Sequence, residues 1–294
     1  MKFVVHACCI LFFSMAFYSA EGHAADNTKS RPVITWIRWD DPPIFINSGP
    51  FKGLGLLDNV EALVQKALPK YQHNRTDGTV PRVLKEAERK AEVCNAGWLD
   101  TAEWAKVFYF SKPFTVIPSN GVLLRESRLK DIRNLQPYSL QKFLDQKPNW
   151  KLGVGRLYGE GIDDVLIKNN YLKNPKIVTI TTSLRVHQMI ASDRIQYTLG
   201  YPFEAVYYNK LLDIQDSVIH IPLTDNRPFT NVVVACPKSP WGKKIIADVD
   251  KVLNNKELLE HISDGVDKWL TKEDRQRLGD PRRALMKKYY PNLL

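Results

Sequence analysis

The feature that most limits the fold is an alternation of short β-branched and aromatic runs with longer stretches whose apolar residues recur at helical spacing. "VITWIRW" (33–39) has the side chains of a strand, and "LLDNVEALVQKAL" (56–68) sets Leu57, Val60, Leu63, Val64, Ala67 and Leu68 on one helical face. "YQHNR" (71–75) predicts a second strand. "PRVLKEAERKA" (81–91) predicts a helix that opens on proline, where a missing N–H costs nothing, and "EVCNAG" (92–97) predicts a third strand. The order β-α-β-α-β is that of a parallel sheet with crossover helices.

After "FSKPFTVIPSN" (110–120) the same rhythm restarts with "GVLLR", "SLQKFL", "KLGVGR", "IDDVLIKN", "KIVTI", "SLRVHQMIA", "IQYTL" and "PFEAVYYN". "VIHIPL" and "NVVVAC" add two strands. From Trp241 the chain reads as helix, with Val249, Val252 and Leu253, then Leu258, Leu259 and Ile262, marking apolar faces. Two α/β units are expected, with the tail returning to cover the first sheet.

The glycines in "DDPPIFINSGPFKGLGLLD" (40–58) invite comparison with a phosphate-binding loop. A dinucleotide loop needs its glycines directly between the first strand and its helix, with a third glycine for close packing. Here 13 residues separate Trp39 from Gly53, and Asp58 occupies the third-glycine position. No GK[ST] occurs either, so nucleotide binding is not expected and the stretch is read as the wall of a different cleft.

Several further classes are excluded. Met1 and Lys2, the apolar core Ala7 to Phe17, and Gly22 and Ala24 have the layout of a cleaved export signal spanning 1–24, which predicts a mature soluble periplasmic protein from Ala25. The apolar core is shorter than the ~20 residues that cross a bilayer. Cys8 and Cys9 precede it, which argues against a lipidated cysteine. The formal net charge of +10 is carried by dispersed Lys and Arg. The densest group (Arg275, Arg277, Arg282, Arg283, Lys287 and Lys288) is interleaved with Asp274 and Asp280 as on a solvated helix, so nucleic acid is not an expected partner. His73, His187, His220 and His261 lack metal-ligand spacing, and neither G-x-S-x-G nor H-E-x-x-H occurs, so no metal, cofactor or catalytic residue is expected. Cys94 and Cys236 lie 142 positions apart, compatible with one disulfide or with two buried thiols.

"WIRWDDPPIFINSGPFKGLGLLDNVEALVQKAL" resembles the opening of the periplasmic solute-binding proteins of the polar amino-acid type, extracellular family 3. "EVCNAGWLDTAEWAKVFYFSKPF" resembles that family's third strand, its cleft-facing T-x-E-R turn and its F-S-x-P-[FY] passage into a second lobe. "KLGVGRLYGEGIDDVL" and "NVVVACPKSPWGKKIIADVDKVL" resemble the second lobe's glycine-rich helix start and the return strand. The resemblance spans the mature chain and is nearest to an uncharacterised proteobacterial branch. It implies the type II periplasmic binding fold, with each lobe a mostly parallel sheet flanked by helices and two crossing strands as hinge. Lobe 1 would be 25–117 and 230–294, and lobe 2 would be 118–229. The family's sheet order sets the return strand beside the third strand, which implies a Cys94–Cys236 disulfide. A monomer that captures a small molecule for a membrane transporter or a sensor kinase is the implied role.

The departures bear on the ligand. The family's carboxylate-binding arginine is replaced by Trp104, and its ammonium-binding acid by Gly200, with Glu204 one helical turn on as a substitute or as an ordinary helix-start carboxylate. Trp39, Asp40, Phe45, Trp98, Thr101, Trp104, Tyr158, Tyr201 and Glu204 are the candidate ligand contacts, and stacking on a planar, sugar-like or apolar solute rather than an ordinary α-amino acid is expected. The competing roles are a ligand-free sensor or assembly partner on the same fold, and a periplasmic dehydratase-like enzyme. Adjacent Asp40 and Asp41 point apart and suit shared acid/base work poorly.

Overall fold

The computed structural model describes residues 31–155, 161–168 and 170–293. The expected export signal lies outside them. No described helix is long and apolar enough to cross a membrane.

Eleven strands are described: β1 (Val33–Arg38), β2 (Gln72–Asp77), β3 (Val93–Leu99), β4 (Phe108–Phe110), β5 (Thr115–Pro118), β6 (Gly121–Arg125), β7 (Leu152–Val154), β8 (Ile177–Thr179), β9 (Tyr197–Gly200), β10 (Val218–Ile221) and β11 (Phe229–Pro237). They form two sheets. The first has the order β2-β1-β3-β11-β4, with β5 also on β11, and the second β10-β6-β9-β7-β8. β1 pairs in parallel with β2 and β3, and β7 with β8 and β9, as crossover helices require. β11 is antiparallel to β3, because it returns from the second sheet instead of following a helix.

Period-two patterning in β1 assigns the two faces of the first sheet. Ile34 and Trp36 join Val60, Val64, Ala96, Val234, Ile245 and Val249 on one side, while Ile37 joins Val83, Trp98 and Val233 on the other. Polar residues start the helices: the Thr79, Ser139, Thr182 and Ser239 side chains accept from the backbone N–H three residues on. Pro81 falls in the first turn of the helix Val80–Glu88. The tail folds into helices Pro240–Leu253, Lys256–Asp267 and Lys272–Tyr289. Its Val249, Leu253, Leu259 and Ile262 pack into the first-sheet core, as the apolar faces predict, and Leu278 and Tyr290 join them there.

The chain passes between sheets twice, at Pro118–Gly121 and again between β10 and β11. Ser119 Oγ lies 2.9 Å from Thr230 Oγ1, and Asn226 Nδ2 donates to the Asn120 carbonyl at 3.1 Å, so the two passages are tied to each other. Gly121 is required by close approach: a Cβ there would fall 2.3 Å from the Ile221 carbonyl oxygen and 2.5 Å from His220 Nε2.

Burial, followed by the charge of Arg277, pushes the His220 imidazole down to about 3, against a smaller opposing effect from its hydrogen bond to the Ser119 backbone. His220 is therefore neutral in the fold, whereas the unfolded chain takes up a proton below about pH 6.5. This contribution is complete above that pH and is lost as pH falls towards 3, with a slope of at most ~1.4 kcal/mol per pH unit. The urea midpoint is expected to drop between pH 6.5 and 5, and His220→Gln is expected to flatten that drop. An unchanged slope in the variant would assign the acid sensitivity elsewhere.

Candidate functional site

The stretch 40–58 is a closed turn built on one carboxylate. Pro42–Pro43 is cis, and Gly49 and Gly53 have φ of 78° and 76°, which suits glycine. A Cβ at Gly55 would meet the Ile44 carbonyl oxygen at 2.6 Å and Asp58 Oδ2 at 2.8 Å. Asp58 Oδ2 accepts from the N–H groups of Ile46 (3.1 Å) and Gly55 (2.9 Å), while Oδ1 accepts from Arg38 Nη1 at 2.5 Å. The residue standing at the third-glycine position thus ties the turn together from inside, and a phosphate has no place there.

This turn forms one side of a cleft of about 650 Å³, within the range of small-molecule sites. Trp39, Asp41, Ile44, Leu56 and Leu57 line it from the turn, and Trp98 to Trp104 from the end of β3 and the segment after it. Ser119, Asn120 and Thr230 contribute from the crossings. Gly161, Asp163, Tyr201, Phe203 and Asp225 to Arg227 line the facing side. Strand ends and the crossings between two sheets are where α/β folds place ligands.

The candidate residues separate into groups. Trp39, Trp98, Thr101, Trp104 and Tyr201 line the cleft. Trp98 stands nearly perpendicular to both Trp39 (85°, 5.7 Å) and Trp104 (82°, 5.8 Å), so the three indoles make a corner. Thr101 Oγ1 accepts from the Trp104 N–H at 3.3 Å and holds the turn that carries the indole.

Phe45 is a correction. It is 0% exposed, sits in the first-lobe core with its ring edge-on to Trp39, and is not part of the lining. Asp40 also lies off the lining, where its Oδ1 accepts from the Asn47 N–H at 2.9 Å. Glu204 is neither a cleft group nor a solvated one. It is 4% exposed and turns back to accept from the Tyr201 N–H at 3.4 Å, and a Cβ at Gly200 would lie 2.8 Å from its Oε2. Tyr158 lies outside the described residues.

Asp100, Glu103, Asp163, Asp225, Asn226 and Arg227 also line the cleft and are not among the sequence-based candidates. The polar run "TDNRPF" before β11 marks a loop, and only the crossing turns that loop towards the first lobe. Cys94 and Cys236 are bonded, with Cα atoms 4.4 Å apart on adjacent β3 and β11, so the implied pairing holds in the structure. No cluster of three or more potential metal ligands occurs among the described residues.

Beside the cleft the two lobes touch directly. Phe51 and Trp269 of the first pack edge-on against Tyr207 of the second, with ring centroids 5.6 and 5.2 Å away, and Lys210 lies over the Trp269 ring at 5.1 Å.

Two α/β sheets joined by two crossings, with a solute-sized cleft between them, define the two-lobed type II periplasmic binding fold. Among solved structures with this fold, a histidine kinase sensor domain similar to periplasmic binding proteins matches with a TM-score of 0.59 at 13% identity, covering 82% of this chain and 96% of its own. A probable amino-acid ABC transporter extracellular-binding protein of Bacillus subtilis matches at 0.58 and 17% identity, covering 81% and 98%. An ancestral amino-acid-binding protein, a precursor of cyclohexadienyl dehydratase, matches at 0.60 and 17%, covering 82% and 96%. At these identities the likeness is one of fold. No protein-family model and no curated sequence matches the chain.

Proposed function

We propose that this protein captures a small solute between its lobes in the periplasm and closes about the crossings, delivering the solute to a transporter or reporting it to a sensor kinase, and that the solute is not an ordinary α-amino acid. The observation that carries this reading is the cleft itself: it is lined from both lobes, and Trp104 lines it where the resembling family has arginine. Gly200 stands where that family has its acid, and Glu204 is occupied with its own helix start. Each missing charge-assisted contact forgoes roughly 1.5 to 3 kcal/mol, or about one to two decades of affinity. Arg227 reaches the lining but is exposed, and an exposed charge contributes at most ~1 kcal/mol to a pair.

Calorimetry on the mature protein is expected to give no sub-micromolar binding to any common amino acid. A solute that does bind should change tryptophan fluorescence, and Trp104→Ala should remove most of that response while circular dichroism stays native, because Trp104 lies in a half-buried single turn. Sub-micromolar binding of an amino acid overturns the ligand reading.

A second reading, a ligand-free sensor, draws on the direct contact of Phe51 and Trp269 with Tyr207, which holds the lobes together by protein contacts alone. The histidine kinase sensor domain that shares this fold is in keeping with a sensing role. It predicts no fluorescence response to any solute in a broad library. An enzyme draws less support: Asp40 and Asp41 diverge, and no described histidine lines the cleft.

A further inference from the structure

We propose that the cleft selects an organic cation, an alkylated or quaternary ammonium that also carries a hydrogen-bond acceptor. This rests on the cleft being a solute site and names the chemistry of the solute. The first observation is a charge inversion. The chain as a whole carries +10, yet among the described residues the cleft is lined by Asp41, Asp100, Glu103, Asp163 and Asp225 against Arg227. Three of these carboxylates have no cationic partner among the described residues: that of Asp100 accepts only from Asn231 Nδ2 at 2.8 Å, that of Asp225 from the Leu140 N–H, and that of Glu103 from no described group. Asp100 and Glu103 stand on the first-lobe side and Asp225 at the second crossing, so like charges share one lining. A cation between them relieves that repulsion, and an anion adds to it.

The second observation is the indole corner. A positive, weakly hydrated head is attracted to the faces of aromatic rings, most strongly to tryptophan, and rings at right angles contact such a head from two sides. Trp39 and Trp104, both half-buried, supply rings to the lining on either side of the buried Trp98, to which each is nearly perpendicular, with Asp41 Oδ2 as acceptor for Trp39 Nε1 at 3.4 Å. The third is independent of charge. Trp98 lines the cleft at 5% exposure, and its buried indole N–H has no acceptor among the described residues, a deficit that a ligand oxygen reaching it on closure would remove. The carboxylate of an α-amino acid would instead face the acidic lining, in keeping with weak binding of that class.

The test compares ligands of one shape and three charges: choline, its neutral carbon isostere 3,3-dimethylbutan-1-ol, and 3,3-dimethylbutanoate, with tetramethylammonium and ethanolamine extending the cationic set. Binding is read by calorimetry and tryptophan fluorescence, and closure by small-angle scattering. A cation of the set is expected to bind at least about tenfold tighter than the neutral isostere, the scale of a desolvated cation–aromatic contact. The anion is expected not to bind, and affinity should fall with salt. Asp100→Asn and Trp104→Ala should each lower cation affinity several-fold, and Trp104→Phe should restore part of it. Equal affinity for choline and its isostere, or preference for the anion, an α-amino acid or a neutral solute, overturns the charge assignment while leaving the solute-binding reading standing. If neither this set nor a broad solute library closes the lobes or changes fluorescence, both fall together.

Discussion

Reduction of the Cys94–Cys236 bond is expected to lower stability by about 4 to 5 kcal/mol. The bond closes a loop with a sequence separation of 142 residues, from β3 of the first lobe through the whole second lobe to β11. Most of the chain freedom it removes is freedom of the unfolded state, and loop-closure entropy grows with loop length. Both cysteines are buried, at 2% and 0% exposure, so a reductant acts only once the lobe opens. With a slope of about 3 kcal/mol/M, the urea midpoint should fall by roughly 1.5 M in the Cys94→Ala/Cys236→Ala protein. Alkylation under denaturing, non-reducing conditions should find no free thiol at either position in the native protein. Two modified thiols, or a midpoint that the double variant leaves unchanged, would show that β3 and β11 are held by packing alone.

Asp58→Ala is expected to cost about 3 to 5 kcal/mol, the range for removing one member of a buried pair. Its carboxylate and the Arg38 guanidinium are 4% and 5% exposed, and deleting the acid leaves that guanidinium buried without its counter-ion, with Nε already lacking a partner among the described residues. The N–H groups of Ile46 and Gly55 lose their acceptor at the same time. Glu61 is a poor replacement: burial is the main influence on its carboxyl and raises its pKa, with Arg38 and Arg75 opposing. Because Ile44, Leu56 and Leu57 are held against the cleft by this turn, Asp58→Ala should also abolish the fluorescence response to a bound solute. Asp58→Asn should fall between, since it keeps one acceptor oxygen and loses the charge. Chemical denaturation of the three proteins decides the matter. A loss below 1 kcal/mol in the alanine variant would mean that the turn is stable without its central carboxylate.

The same residue shows where sequence reasoning stops. Asp58 at the third-glycine position was enough to reject a dinucleotide loop, because that loop depends on local spacing. Nothing local shows that the carboxylate points inward to Arg38, twenty positions earlier in the chain. Phe45 and Trp39 make the same point. Both are aromatic and flank one Pro-Pro turn, and sequence reasoning assigns both to the ligand. The turn seats Phe45 in the core and leaves Trp39 at the cleft. For Glu204 the sequence allows a cleft acid or a solvated one, and the absence of a Cβ at Gly200 gives its carboxylate a third place, against the start of its own helix.

What the sequence determined by itself is the order of strands and helices, the restart of the pattern after residue 120 and the helical tail over the first sheet. These follow from the period of apolar residues and from caps and prolines, all of which act within a few positions. The cleft lining was decided by the tertiary structure. Asp100, Glu103, Asp225 and Arg227 share one lining only because the chain crosses between sheets twice and returns β11 to β3. Local periodicity carries no information about contacts made across more than a hundred residues. The acidic, aromatic character of the site in an otherwise basic chain therefore belongs to the fold.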